Sequence, residues 1–313
     1  MLLKTINYDS VTNFIELYDQ YKKNNHLSFE DFFRKYIPTL NKNANNCVGL
    51  ALLLIEKLKQ FDDRYSGIKN CFYLVSCEIN LQSFDKYENT EYPCPWLSVN
   101  EHIMVALKIE IDGRVGVLLL DPGYPLDRVI TVMNDQEYPN TGHFLSSTNP
   151  EEVYLIEMIM QGKYLQWSIY DESNLKETNL IYIGAPYLSP ISVTERRNLV
   201  FTYRFFFSLS EKGENLSGIF AKIDEHILCL YYIDEDYPKE KQIIKLTPEL
   251  FSSVNQLNSD IKKTLDRISH HLKISSKELW NILTKLNHII EDEQFLDSLC
   301  KINNDIQNLN SGK

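Results

Sequence analysis

The chain has no surplus of basic residues. Its 32 Lys and Arg stand against 43 Asp and Glu, a formal net charge of −11 over 313 residues. Nucleic acid and anionic membrane both attract basic surfaces, so neither is an expected partner. An anionic small molecule, which needs only a local basic pocket, stays compatible with this balance. Long apolar runs are missing too. None approaches the roughly 18 residues of a membrane span. The opening MLLKTINYDS has no continuous apolar stretch, so no cleaved secretion signal is expected. There is no internal repeat, no Gly-rich phosphate loop of the G-x-G-x-x-G or Walker type and no low-complexity linker. The six cysteines (Cys47, Cys71, Cys77, Cys94, Cys229 and Cys300) form no C-x-x-C pair. Their spacing points to neither a zinc site nor a disulfide framework, so no metal is expected, and a reducing, cytoplasmic location is.

What the chain does have is apolar and aromatic side chains, 43% and 12% of its residues, ample for a packed core. Residues 9–37 read as two helices, the first capped by Asp9 or Ser10 and the second by Ser28. Their Phe and Tyr residues form core stripes. Strand patterns follow at 70–80, 128–132, 152–159, 164–170 and 179–183. A meander is expected over 199–208, 216–223 and 226–233, and helices over 248–256, 259–272, 275–286 and 293–309. His270, His271 and His288 lack the spacing of metal ligands. The expected class is α+β. An N-terminal helical part (1–90) precedes a central antiparallel β-barrel-like part (91–200) and a C-terminal part of β meander and helices (201–313).

The stretch Glu101–Leu126 organises the rest. Two apolar runs flank Asp112-Gly113, a pair suited to a two-residue type I′ turn. That turn sets a register in which Ile111 faces Arg114, Leu107 faces Leu118 and Met104 faces Asp121. Side chains alternate along a strand, so His102, Met104, Ala106, Val115, Val117, Leu119 and Asp121 share a face. His102 and Asp121 become diagonal neighbours, about 7–8 Å apart at Cα. Cys47 opens the apolar run VGLALLLIEKL, behind the polar loop NKNANN. A helix N-terminus stabilises a thiolate. Cysteine at a helix start, histidine at a strand start and aspartate at a strand end suit a cysteine nucleophile, its base and the residue that orients the base. Trp96, in the loop before His102, and Tyr124, just after Asp121, are the candidate substrate-binding residues.

These segments, NNCVGLALLLIEKL, EHIMVALKIEIDG and LLLDPGY, resemble the core of the transglutaminase-like superfamily. Within it the chain looks most like the arylamine N-acetyltransferases. Asp121-Pro122-Gly123-Tyr124 is similar to that family's turn after the aspartate. Tyr154-Leu155…Trp167, Pro186…Pro190 and Asn198-Leu199-Val200-Phe201 resemble later segments more loosely. The family's Arg-Gly-Gly before the nucleophile is replaced here by Ala44-Asn45-Asn46. The resemblance implies ping-pong acyl transfer through a Cys47 thioester, from acetyl-CoA or another acyl-CoA to an amine on a small molecule or a protein. It makes Arg196 and Arg197 candidates for coenzyme A phosphates. Two other readings keep the same residues: a transglutaminase-like protease, deamidase or amide hydrolase acting on protein, and a non-catalytic interaction module that retains the fold.

Overall fold

Asp112 and Gly113 take φ values of +54° and +75°, the left-handed pair that a type I′ turn requires. The register follows as expected, with Ile111 opposite Arg114 and Leu107 opposite Leu118. The computed structural model describes residues 5–24, 26–40, 45–81, 100–122, 126–146, 149, 151–210, 215–233, 241–251 and 259–311.

In chain order the elements begin with β1 (Tyr8–Asp9), α1 (Thr12–Lys23), α2 (Phe29–Lys35), α3 (Cys47–Leu58), β2 (Phe72–Ile79), β3 (Asn100–Ile111) and β4 (Arg114–Leu120). Next come β5 (Ile130–Met133), β6 (His143–Leu145), β7 (Glu152–Ile159), β8 (Tyr164–Asp171) and β9 (Asn174–Tyr182). A π-helical stretch, Pro190–Glu195, leads into α4 (Arg196–Val200). The last elements are β10 (Tyr203–Leu209), β11 (Asn215–Lys222), β12 (Ile227–Ile233), β13 (Lys241–Lys245), α5 (Ser259–Leu272), α6 (Ser276–Ile290) and α7 (Glu293–Ser311). The chain is α+β, with two antiparallel sheets.

The chain packs as two discontinuous units. One holds Cys47–Asn198 with short pieces of both termini, and the other holds Leu3–Asn46 with Leu199–Asn304. Within the first unit, the helix that Cys47 opens packs with the strands that follow it.

The first unit is built on an eight-stranded sheet of order β5-β4-β3-β2-β9-β8-β7-β6. Its core gathers Val75, Met104, Ala106, Leu119, Val132, Tyr154, Ile156, Trp167 and Ile181 from seven of those strands, so the sheet curls around one apolar interior. Each such Leu, Ile or Trp contributes on the order of 2 kcal/mol through burial. Helix α3 packs on β3 and β2, and the π-helical stretch packs on α3 and β3. Only the first turns of α3 are fully enclosed: Val48, Leu50 and Ala51 are buried, whereas Leu52–Ile55 are half-buried.

The second unit has a five-stranded sheet, β1-β10-β11-β12-β13, and the remaining helices. Asp9 does the capping expected of it, accepting the Val11 and Thr12 amides at 2.8 and 2.9 Å. Ser28 and Ser275 cap α2 and α6 by accepting from Asp31 and Glu278. The N-terminal aromatics are core, with Phe295 of α7 seated among Phe14, Tyr18 and Phe29. Leu199 and Val200 end α4 instead of opening a strand; the meander starts only at Tyr203.

Candidate active site

β3 outruns its hairpin partner. Its ladder with β4 ends at Val105–Leu120, one pair short of Met104 and Asp121. On the other side β3 stays paired with β2, Cys77 lying opposite His102. The chain therefore leaves β4 at Asp121 beside the unpaired flank of His102. Asp121 Oδ1 lies 3.2 Å from His102 Nε2, and both side chains are nearly withdrawn from solvent. The oxygen sits off the hydrogen-bonding direction of the ring nitrogen, so the contact is mainly ionic. Asp121 Oδ2 accepts the Leu126 amide at 3.4 Å, which steadies the carboxylate from behind.

Cys47 is the first residue of α3 and is 4% exposed. Its sulfur is among the groups that favour a charge on the His102 ring. Burial is the strongest influence on that ring and works against a charge. Asp121, and after it Cys47, outweigh burial and raise the ring to about 10. An imidazolium between a carboxylate and a sulfur is thus the favoured state at neutral pH. Folding brings His102 and Asp121, two of the three residues singled out from the sequence, into contact.

Sequence reasoning missed one neighbour. Asn198 Nδ2 donates to Cys47 Sγ at 3.3 Å, from α4, 151 positions away. The one sequence signal was its place ahead of an aromatic stretch, and that carried no role. Glu101, next to His102, accepts the Thr194 hydroxyl at 3.1 Å, and Thr194 contacts the Tyr187 hydroxyl at 2.9 Å. Burial raises the Glu101 carboxyl, an effect opposed by Thr194 and by the nearby Arg197.

Arg196 and Arg197 are not a matched exposed pair. Arg196 is half-buried, while Arg197 is 8% exposed, with burial lowering its proton affinity and Glu101 opposing that. Trp96 and Tyr124 lie outside the described residues. Cys71 and Cys77, six positions apart, differ in setting: Cys71 is exposed, and Cys77 is enclosed beside the site. Burial, then Asp121, raises the Cys77 thiol well above its ordinary range, which keeps it protonated. The five described cysteines are free thiols. Among the described residues, no cluster of three or more His, Cys, Asp or Glu could hold a metal ion, and no helix is long and apolar enough to cross a membrane.

No family model matches the sequence, and neither does any curated protein. Solved structures to which it is similar include arylamine N-acetyltransferases. The Salmonella typhimurium enzyme is 9% identical, with 90% of this chain and 87% of that one covered at a TM-score of 0.37. A Mycobacterium smegmatis structure is 12% identical, covering 78% and 85% at 0.36. A Mycobacterium marinum structure in complex with CoA is 10% identical, covering 72% and 71% at 0.33. With likeness at this level, the chemistry has to be argued from the side chains themselves.

Proposed function

We propose that the chain is a cysteine acyltransferase that carries an acyl group from a thioester donor to an amine through Cys47. The observation that carries this reading is the buried contact of Asp121 Oδ1 with His102 Nε2, 3.2 Å, on a ring whose charge Cys47 also favours. With Asp121 on the Nε2 edge, the Nδ1 edge is left for the sulfur. His102 holds the proton of Cys47 as an imidazolium, and the thiolate attacks the acyl carbonyl. The new C–S bond forms, the donor's C–S bond breaks, and the leaving thiolate takes the proton back from the imidazolium. The amine then attacks the thioester, gives a proton to the ring and releases Cys47. Asp121 fixes the ring's orientation throughout. The Cys47 backbone N–H, at the helix start, is the natural donor to the carbonyl oxygen as it becomes negative.

Acyl-CoA as donor follows from the sequence resemblance. In this reading Arg196 is the contact for coenzyme A phosphates and Arg197 the buried charge behind it. Trp96 and Tyr124 are assigned to the acceptor side by their sequence positions alone. The test is intact-protein mass spectrometry after mixing with acetyl-CoA. An increment of one acetyl group, lost in Cys47→Ala and discharged by an arylamine, is the expected result. Fast alkylation of Cys47 without acetylation would instead favour the amide hydrolase. Neither acetylation nor selective alkylation would leave the interaction module.

A further inference from the structure

Beside the three residues stands an amide whose donor touches the sulfur. Asn198 Nδ2 to Cys47 Sγ is 3.3 Å, a close contact for an atom as large as sulfur. We infer that Asn198 is a catalytic residue that donates to the Cys47 sulfur and holds negative charge there while the sulfur attacks and leaves. This deepens the reading of Cys47 as nucleophile and rests on it.

A hydrogen bond to a charged acceptor is worth more than one to a neutral acceptor. The Asn198 amide therefore stabilises a thiolate more than a thiol. It does so without adding charge to a site that already holds His102, Asp121 and the enclosed thiol of Cys77. The amide is also held in place. Thr194, one helical turn earlier, has no exposed surface, and its hydroxyl is fixed by Glu101, the residue adjoining His102 in β3. The strand that presents the imidazole thus also anchors the turn that presents the amide. The π-helical winding of Pro190–Glu195 widens that turn and sets the rotation of α4, and hence of Asn198.

The experiment compares iodoacetamide alkylation of Cys47 and Cys71 in the full chain at neutral pH, read by peptide mass, for wild type, Asn198→Ala and Asn198→Asp. The expected result is that Cys47 slows about tenfold in Asn198→Ala, the loss of one hydrogen bond to a charged group. It slows further in Asn198→Asp, where a carboxylate faces the sulfur, and Cys71 is unchanged. A packing role predicts the reverse order, because Asp preserves the shape of Asn and Ala does not. An Asp variant at least as fast as the Ala variant, or wild-type rates in both, would overturn the assignment while leaving the nucleophile standing. If Cys47 outpaces Cys71 in no protein, including wild type, the nucleophile fails and Asn198 with it. Should Asn198→Ala not fold, the isosteric Asp variant against wild type decides alone.

Discussion

Cys47 and Asn198, 151 positions apart, are the first and last residues of the long segment that builds the barrel-like unit, and their side chains meet at 3.3 Å. The two ends of one folded segment therefore close on the thiol. His102 and Asp121 come from the middle of the same segment.

Accessibility and reactivity should part company at the cysteines. Cys71 is exposed, whereas Cys47 is 4% exposed. Were access to govern the reaction, Cys71 would react first. The expected outcome is faster carboxamidomethylation of Cys47 than of Cys71 or Cys229 at neutral pH, read by peptide mass against time. Equal rates at the three positions would remove the case for an activated thiol.

Asp121→Asn should leave the fold in place and lower acyl transfer by at least about a hundredfold, since the amide no longer holds the imidazolium in its orientation. Thermal unfolding and single-turnover acetylation measured on the same preparation separate the two effects. An unchanged rate would exclude Asp121 from the mechanism.

The raised His102 ring ties stability to pH. A group whose proton is held more tightly in the folded state stabilises the fold fully below its unfolded value, and that contribution is lost as pH rises through the folded value. For His102 the window runs from about 6.5, the ordinary value, up to about 10. The Tm advantage of wild type over His102→Asn should therefore be greatest near pH 6 and should shrink steadily toward pH 10. An advantage that grows with pH would contradict the ionic contact with Asp121.

Gly218 of β11 sits opposite Phe207. An added Cβ there would run into the Phe206 carbonyl oxygen and lie 2.8 Å from the Phe207 Cα, both backbone atoms that cannot turn aside. Gly218→Ala should cost about 1–3 kcal/mol or more, seen as a lowered denaturant midpoint, without altering the alkylation rate of Cys47 in the folded protein.

The hairpin was legible because its signals are local: two turn residues set the register, and a period of two sets the face. Cys47 was legible through the contrast between a polar loop and an apolar helix. Asn198 was not, because nothing near it in the chain marks a contact made across 151 positions. Arg197 misled for the same reason. Beside Arg196 it reads as half of a basic pair, and its burial near the distant Glu101 is not marked in the local sequence. Cys71 and Cys77 lie six apart in a strand-like pattern. The strand begins at Phe72, which leaves Cys71 in the preceding turn and Cys77 inside. Leu199 and Val200 look like strand residues, yet the helical winding begun at Pro190 carries through them.

The two-residue loop at Asp112-Gly113 has a remote effect. Inserting or deleting a single amino acid there would shift the second strand by one position and turn the Asp121 carboxylate to the far side of the sheet. Ring and carboxylate would part, although neither had been altered. Under the proposed function, the length of a surface loop thus decides whether the aspartate can serve the ring, and a relative with a longer or shorter loop should have lost either the activity or the need for that aspartate.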